Sequence, residues 1–239
     1  MTRLLSIAIL LAALASGAAF AQTYEDGLKA LNDGDADTAS EVWLPLARNG
    51  DARAQYAVGR LYFSGEGVAQ HYQKALYWFE KAADTGHADA HFYIGLMHER
   101  GLGVQQNLLA AAEWYKKAIQ WGNVTDAYYR LGRLYLHGLG TPDNIANAFE
   151  YMQAAAHKGH RLAQFHMGAI HEQGWGVEQD YIESFKWYAL ASNAGDVLLD
   201  GAEEYNVGKA LGNLEARMTP LQLAVAERRI NRWRESQPR

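Results

Sequence analysis

Histidine is the side chain of this sequence best suited to bind a metal, and nine histidines are spread over its 239 residues. His87 and His91 are four positions apart, which places both imidazoles on one face of a helix, and His98 follows seven positions later. Such a set suits Zn²⁺. Packing is the favoured interpretation, because His98 stands where related segments of the chain carry Tyr62 and Tyr135. We therefore expect no metal site and no cofactor.

Nucleophilic catalysis has little support in this sequence. The chain has no cysteine, which excludes a thiolate nucleophile, a thiolate metal site and a disulfide framework. Its serines lie outside the Gly-x-Ser-x-Gly and Ser-x-x-Lys patterns of activated serines. The Gly-x-Gly loops lack the preceding strand and the following Lys-Ser pair of a phosphate-binding loop. We predict that the protein is not an enzyme, and a cell-wall or β-lactam hydrolase is the least favoured alternative.

The balance of charge argues against a nucleic-acid partner. The chain has 22 basic and 27 acidic residues, a net charge of −5, whereas nucleic-acid binding needs a concentrated basic surface. One basic cluster lies near the C-terminus, where a helix favours cations; its members are Arg228, Arg229, Arg232 and Arg234. An acidic partner or an anionic envelope polymer is the alternative explanation for this cluster.

Residues 1–21 have the composition of a secretory signal peptide. Arg3 gives a basic start, residues 4–15 are all small or apolar, and Ala19-Phe20-Ala21 is a small-x-small cleavage pattern. An uncleaved anchor is the alternative, because residues 4–21 are just long enough to span a bilayer. No basic stop-transfer cluster follows, so we predict cleavage after Ala21 and a periplasmic or secreted protein that is not inserted in the membrane.

The chain contains an internal repeat, which determines the secondary-structure elements on which all these residues lie. Four glycines, 36, 37 and 36 residues apart, are each followed six residues later by a Gly-x-Gly loop. The four are Gly59, Gly95, Gly132 and Gly168. Each unit continues with a small residue, a pair that includes an aromatic residue, and a closing glycine. In the four units the closing glycines are Gly86, Gly122, Gly159 and Gly195.

The apolar spacing of each unit predicts two helices joined by the Gly-x-Gly turn. Asn107, Asn144 and Asp180 directly precede the second helix, where a side-chain oxygen caps free N–H groups, and His71 is a weaker cap. The closing glycines suit a left-handed helix end. Gly59 and its equivalents lie mid-helix at a cost of about 1 kcal/mol relative to alanine. We expect compensation from close approach of a bulky Trp or Tyr of the paired helix.

The repeated pattern resembles the Sel-one-like repeat family, relatives of the tetratricopeptide repeats with a longer inter-helix loop. In the first unit the match comprises Ala54-Gln55-Tyr56-x-Val58-Gly59-x-x-Tyr62, Gly65-x-Gly67-Val68, Ala75, Trp78-Phe79 and Ala82-Ala83. The resemblance implies an all-α, right-handed solenoid of helix-turn-helix repeats that serves as an adaptor or regulator. A secreted branch linked to penicillin binding is stapled by paired cysteines. This chain lacks them, so that branch's properties are not transferred.

The repeat divides the chain into seven segments. These are a signal peptide (1–21), a degenerate N-terminal capping repeat (22–50), repeats 1 to 4 (51–86, 87–122, 123–159 and 160–195) and C-terminal capping helices (196–239). A solenoid needs such caps to cover its exposed ends. Thr219-Pro220-Leu221-Gln222 predicts the start of the last helix, with a capping box and proline at the first helical position.

A partner of a helical solenoid is expected on the concave face, which the first helices line. Positions that vary between repeats, two residues before the mid-helix glycine and one after it, are candidates for contact. They predict a binding set with arginines and an exposed tyrosine and leucine: Arg60, Tyr93, Leu96, Arg130, Arg133 and His166. Arginine and tyrosine are frequent binding hot spots. Absence of constraint on a free surface is the alternative explanation of this variation.

The residues and the resemblance together favour an exported protein–protein interaction scaffold. We expect a periplasmic adaptor or regulator that binds a protein or peptide of the cell envelope, with a groove suited to an acidic, partly apolar peptide. A structural component of a larger envelope assembly, bound through its caps and convex side, is the alternative. The sequence leaves the partner's identity and the oligomeric state open.

Overall fold

The computed structural model describes residues 22–139, 144–192 and 206–237. This part of the chain contains twelve helices and no β-strand, and its helices pair in sequence order to form an α-solenoid. The helices are α1 (Tyr24–Asn32), α2 (Ala36–Arg48), α3 (Ala52–Ser64), α4 (Tyr72–Ala83), α5 (Ala88–Arg100), α6 (Leu108–Gly122), α7 (Thr125–Leu136), α8 (Ile145–His157), α9 (Arg161–Gln173), α10 (Tyr181–Ala191), α11 (Val207–Glu215) and α12 (Pro220–Ser236). Repeats 1 to 4 are the pairs α3–α4, α5–α6, α7–α8 and α9–α10.

The two helices of each repeat meet at the mid-helix glycine. A Cβ built on Gly59 would lie 2.7 Å from Phe79 Cδ1, and one built on Gly95 would lie 2.8 Å from Tyr115 Cδ1. The other two contacts of this kind are Gly132 with Met152 Cγ (3.0 Å) and Gly168 with Tyr188 Cδ1 (2.5 Å). The expected close approach is confirmed. Its partner is the second residue of each pair, which is tyrosine in repeats 2 and 4 as expected, but phenylalanine in repeat 1 and methionine in repeat 3, where the expected Trp or Tyr is wrong.

The predicted caps of the second helices are present. Asn107, Asn144 and Asp180 each accept N–H hydrogen bonds of 2.9 to 3.0 Å in the first turn of their helix. His71 Nδ1 accepts a longer bond, 3.4 Å, from the Lys74 N–H, as expected of a weaker cap. Satisfying these N–H groups fixes where each second helix starts.

The Gly-x-Gly loops connect neighbouring repeats as well as the two helices of one repeat. Gly65 and Gly67 both adopt left-handed backbone, with φ of +83° and +66°. A Cβ on Gly67 would overlap the carbonyl of Ala36, and one on Gly103 would lie 2.7 Å from Tyr72 Cβ. Ala36 and Tyr72 are the first residues of the second helix in the preceding pair, so the loop glycine sets the distance between pairs.

A glutamine of the first helix provides a second contact between neighbouring pairs. Gln55 Nε2 donates to the Ala47 carbonyl at 3.1 Å, and Gln164 Nε2 donates to the Ala156 carbonyl at 3.1 Å. Both carbonyls lie in the last turn of the preceding helix, where backbone acceptors lack helical partners. Each glutamine is buried and therefore satisfies an acceptor that water does not reach.

One closing glycine departs from expectation. Gly86 and Gly159 take left-handed backbone, with φ of +82° and +85°, but Gly122 remains inside α6. The left-handed residue there is Asn123, with φ of +56°, because α6 runs one residue further and asparagine tolerates this conformation better than most side chains. Gly195 lies outside the described residues.

The helices α1 and α2 pair like the two helices of a repeat with a shorter loop. A Cβ on Gly27 would overlap the indole of Trp43, the same contact that Gly59 makes with Phe79. Trp43 Nε1 also donates to the Tyr24 carbonyl at 2.9 Å. The helix α2 in turn packs against α3 and covers it at the N-terminal end of the stack.

At the other end, α12 packs against α10 and starts as predicted. Thr219 Oγ1 accepts from the Gln222 N–H at 3.3 Å, Gln222 Oε1 accepts from the Thr219 N–H at 2.8 Å, and proline occupies the first turn. Arg229 of the basic cluster donates to Glu183 Oε2 of α10 at 2.9 Å. Part of this cluster therefore holds the last helix in place.

The predicted signal peptide, residues 1–21, lies outside the described residues. Within the described ranges, no helix is both long enough and apolar enough to cross a bilayer.

Two glycine-to-alanine substitutions test the role of the mid-helix glycine. Gly95→Ala should lower the free energy of unfolding by about 1–3 kcal/mol, since its Cβ would press on the fully buried Tyr115 ring. Gly212→Ala in α11 is the matched control, because nothing lies within 4 Å of its Cβ, and it should raise stability by about 1 kcal/mol. Urea denaturation measures both; equal effects would contradict the packing explanation.

Candidate partner-binding surface

The first helices of the repeats, α3, α5, α7 and α9, form one continuous surface, here called the first-helix surface. Side chains join each helix to the next. Tyr56 and Tyr93 have ring centroids 5.9 Å apart, the Arg130 guanidinium lies 5.9 Å from the Phe92 ring, and further rings join α7 to α9. Every residue of the predicted binding set is on these four helices.

The structure divides the predicted set into three groups. Arg60 is exposed and lies 5.5 Å above the ring of the half-buried Tyr93. Arg130 and Arg133 are partly exposed and line one cleft. His166, also partly exposed, lies beside that cleft, 5.9 Å from the ring of Tyr129.

Leu96 is the remaining residue of the set and belongs to none of these groups; the prediction that it is exposed is wrong. Its exposed fraction is 7%, and it lies in the apolar core cluster that contains Tyr115 and Leu131. The position after the mid-helix glycine faces the neighbouring repeat in this unit. An apolar side chain there gains more free energy from burial than from exposure.

The cleft between α5, α7 and α9 has a volume of about 200 Å³. It is lined by Phe92, Arg100, Asp126, Tyr129, Arg130, Arg133, His160 and Leu162. Three arginines and one histidine therefore face one carboxylate in a small space. We call this site the arginine cleft.

Arg130 of the arginine cleft is part of a polar network between repeats 2 and 3. Its Nη1 lies 3.2 Å from Glu99 Oε2, and both side chains are largely buried, with exposed fractions of 17% and 14%. Glu99 also accepts a short hydrogen bond from the Tyr115 hydroxyl. Burial and the neighbouring Glu99 carboxylate raise the pKa of Tyr115, which keeps the hydroxyl protonated as a donor.

The same network recurs at repeat 4. The Tyr188 hydroxyl donates to Glu172 Oε2 at 3.0 Å. Arg217 comes shortly after α11, and its Nη1 lies 3.0 Å from Glu172 Oε1. Arg130 and Arg217 thus each neutralise a glutamate of the preceding repeat. This recurrence assigns Arg130 a structural role in the stack.

Arg100 and Arg133 differ from Arg130 in their surroundings. Across residues 22–139, 144–192 and 206–237, neither guanidinium has a carboxylate within 4.0 Å. Arg133 lies 5.9 Å above the Tyr129 ring, which holds it in place without neutralising it. Among the described residues that line the cleft, Asp126 is the one acid, and its carboxylate lies 3.2 Å from His160 Nε2. Arg100 and Arg133 therefore carry charges that no carboxylate of the described residues neutralises through a direct ion pair.

The other end of the first-helix surface is apolar. A pocket of about 160 Å³ lies between α1, α2 and α3 and is lined by Tyr24, Leu28, Leu31, Trp43, Tyr56, Ala57, Arg60, Leu61 and Glu66. Leu28 on its rim is 40% exposed. This apolar pocket borders Arg60, so the surface offers an apolar site and a cationic site in succession.

The histidines that suggested a metal site do not converge in the structure. The His87 ring stacks on Tyr56 with centroids 4.4 Å apart, and His91 Nδ1 lies 3.0 Å from the His87 carbonyl oxygen. In repeat 4, His171 occupies the position that His98 has in repeat 2, and it makes an edge contact with the Phe149 ring, with centroids 6.0 Å apart. Among the described residues, no group of three or more potential ligands is placed to hold an ion.

Two features of the site were absent from the sequence-based set. Arg100 varies like the chosen positions but lies at the last turn of α5, beyond the positions selected. The contact of Glu99 with Tyr115, which the ion pair of Arg130 joins, could have been predicted from the sequence. At these two repeat positions, repeats 2 and 4 have Glu and Tyr, whereas repeat 1 has two phenylalanines, Phe63 and Phe79. When the residues at two distant repeat positions change together from one repeat to another, their side chains are expected to be in contact.

The largely buried His166 should make the free energy of unfolding depend on pH. Burial, and then the nearby Arg133 charge, lower its pKa from 6.5 to about 4. The unfolded chain therefore binds more protons between these values, and the free energy of unfolding should fall as pH decreases from 6.5 to 4, by at most about 3 kcal/mol from this residue. His166→Phe, which keeps a packed ring, should show a shallower fall in urea denaturation. Identical pH slopes would refute this assignment.

Comparison with known proteins agrees with this architecture. The Sel1 repeat family model matches residues 52–87, 88–123, 125–160 and 161–196, more than half of the chain. No curated protein sequence gives a significant match. Each matched segment begins one or two residues after the start of the corresponding repeat as divided above.

Two solved structures are informative. A Sel1 repeat protein from Oxalobacter formigenes is 30% identical, with a TM-score of 0.66 and coverage of 73% of this chain and 71% of that one. A protective antigen of uropathogenic Escherichia coli strains, which displays an SLR fold, is 24% identical with a TM-score of 0.54, covering 84% of this chain and 49% of that one. Sel1 repeat proteins generally mediate protein–protein interactions and are typically non-enzymatic. This chain belongs to the Sel1 repeat family.

Proposed function

We propose that this protein is an exported interaction scaffold, a periplasmic adaptor or regulator that holds an acidic segment of an envelope protein on its concave face. The first-helix surface is that face, and the arginine cleft is its main contact. The composition of residues 1–21 supports export. The protein acts by binding and catalyses no reaction.

The uncompensated charge of Arg100 and Arg133 carries this proposal. Both guanidinium groups line one small cleft, and in the described part of the chain neither has an acidic partner. A guanidinium binds a carboxylate through two parallel hydrogen bonds, which gives both strength and orientation. A ligand carboxylate in the arginine cleft would therefore meet guanidinium donors that are not paired with a carboxylate of the described residues. Arg130 remains committed to Glu99.

The apolar pocket supports a bound segment that has an apolar side chain as well as an acidic one. Leu28, Leu31 and Trp43 offer apolar contact beside the exposed Arg60. A segment that inserts an apolar side chain here and a carboxylate in the arginine cleft would lie along the first-helix surface. Specific binding energy is usually concentrated in a few such anchors.

Charge reversal at the cleft tests this function. The partner is first captured from envelope extract with the tagged protein and identified, and its binding is then measured by titration. Arg100→Glu combined with Arg133→Glu should weaken binding at least about tenfold, because each lost charged hydrogen bond contributes about 1.5–3 kcal/mol. Arg130 is left intact because a glutamate there would face Glu99.

Arg228→Glu is the matched control, an exposed arginine outside the first-helix surface, and it should leave affinity unchanged. Raising the salt concentration should weaken wild-type binding more than binding of the double variant. Equal affinity of the wild type and the double variant would overturn the assignment of the cleft.

Export has its own test. The protein expressed at natural levels should be recovered from the periplasm or medium, and mass spectrometry of its N-terminus should show a chain that begins at Gln22, because cleavage follows the Ala19-Phe20-Ala21 pattern. Recovery of the intact N-terminus in the membrane fraction would contradict cleavage and favour the anchor.

A further inference from the structure

A groove lined with aromatic rings lies between α4 and α6, the second helices of repeats 1 and 2, and no part of the proposed function uses it. It holds a cleft of about 340 Å³ lined by Tyr77, Glu80, Lys81, Asp84 and Trp114. This volume is within the range of small-ligand sites, about 300–1,000 Å³. We call it the α4–α6 groove.

Aromatic rings stand at both ends of this groove. Tyr77 is 51% exposed and shares the cleft with Trp114. Trp121 is 60% exposed, and its ring lies over Gly86, directly beyond the end of α4. Trp114 and Trp121 are seven residues apart on one face of α6, about 10.5 Å along the helix axis. The rings therefore form separate platforms along one line.

Charged groups of both signs lie between these platforms. Glu80 and Asp84 follow Tyr77 at helical spacing on α4, and in the part of the chain that the structure describes neither carboxylate forms an ion pair. The ammonium groups of Lys81 and Lys117 lie over the Tyr77 and Trp114 rings, at 5.8 and 4.0 Å from their centroids. Carboxylates accept hydrogen bonds and ammonium groups donate them.

This combination selects a neutral ligand with many hydroxyl groups. The two carboxylates and the two ammonium groups balance in charge, so the groove favours neither an anion nor a cation. A sugar ring fits such a lining, because its C–H face packs on the exposed side of a ring such as Tyr77 or Trp121, and its hydroxyls both donate and accept hydrogen bonds. We propose that the α4–α6 groove binds an oligosaccharide, with Tyr77 and Trp114 at one subsite and Trp121 at another.

Titration with defined sugars tests this proposal on the protein without its first 21 residues. The probes are the β-1,4-linked hexamers of glucose and of N-acetylglucosamine, which are extended chains, together with their disaccharides. At least one hexamer should bind saturably and more tightly than its disaccharide, because only the longer chain reaches both platforms. Binding should shift the indole N–H resonances of Trp114 and Trp121 in ¹⁵N NMR spectra.

Single substitutions locate the site. Tyr77→Ala and Trp121→Ala should each weaken hexamer binding about tenfold, while Tyr77→Phe should retain most of the affinity. Trp175→Ala removes a similarly exposed tryptophan, 48% exposed in the loop of repeat 4, and should change nothing.

Three results would overturn the proposal: no saturable binding of either hexamer at millimolar concentration, binding that Tyr77→Ala leaves unchanged, or equal loss with Trp175→Ala. Self-association of the protein that Tyr77→Ala abolishes would assign the groove to a second copy of the chain instead. Because the arginine cleft lies on the first-helix surface, the outcome here is independent of the test with Arg100 and Arg133.

Discussion

The contact between a mid-helix glycine and a large side chain of the paired helix is the constraint on which the rest of the structure depends. Gly95 and Tyr115 show it most clearly, because the Tyr115 ring fills the space that a Cβ would occupy. This approach fixes the distance and rotation of the two helices in a repeat. The loop glycines then set the distance to the preceding pair. Together they place the first helices side by side, which creates the surface proposed to bind a partner.

Polar groups distinguish arginines that stabilise the stack from those that remain for a ligand. Arg130 neutralises Glu99 between repeats 2 and 3, as Arg217 neutralises Glu172 at the end of repeat 4. Arg133, three positions after Arg130, lies against a tyrosine ring with no acid beside it among the described residues. Because removing Arg130 would leave the largely buried Glu99 with an uncompensated charge, Arg130 is needed for the stability of the stack. Arg130 and Arg133, which were both predicted to contact a partner, thus have different surroundings in the structure.

The sequence predicted the all-α solenoid and the first residues of its second helices, because spacing and capping are local properties. Asn107, which caps α6 as predicted, is an example. Burial was harder to predict, since it depends on which neighbour a side chain meets across repeats. Leu96 lies in the core although its position varies like a surface position. The arginine cleft could not be predicted as a whole, because Arg100 and Arg133 are 33 residues apart and meet only through stacking of α5 and α7.

A structure of the protein bound to its captured partner tests the central claim most directly. The account predicts that a carboxylate of the partner lies within hydrogen-bonding distance of the Arg100 and Arg133 guanidinium groups, while Arg130 remains paired with Glu99. A partner seated on the second helices or on the terminal helices, with the arginine cleft open to solvent, would contradict it.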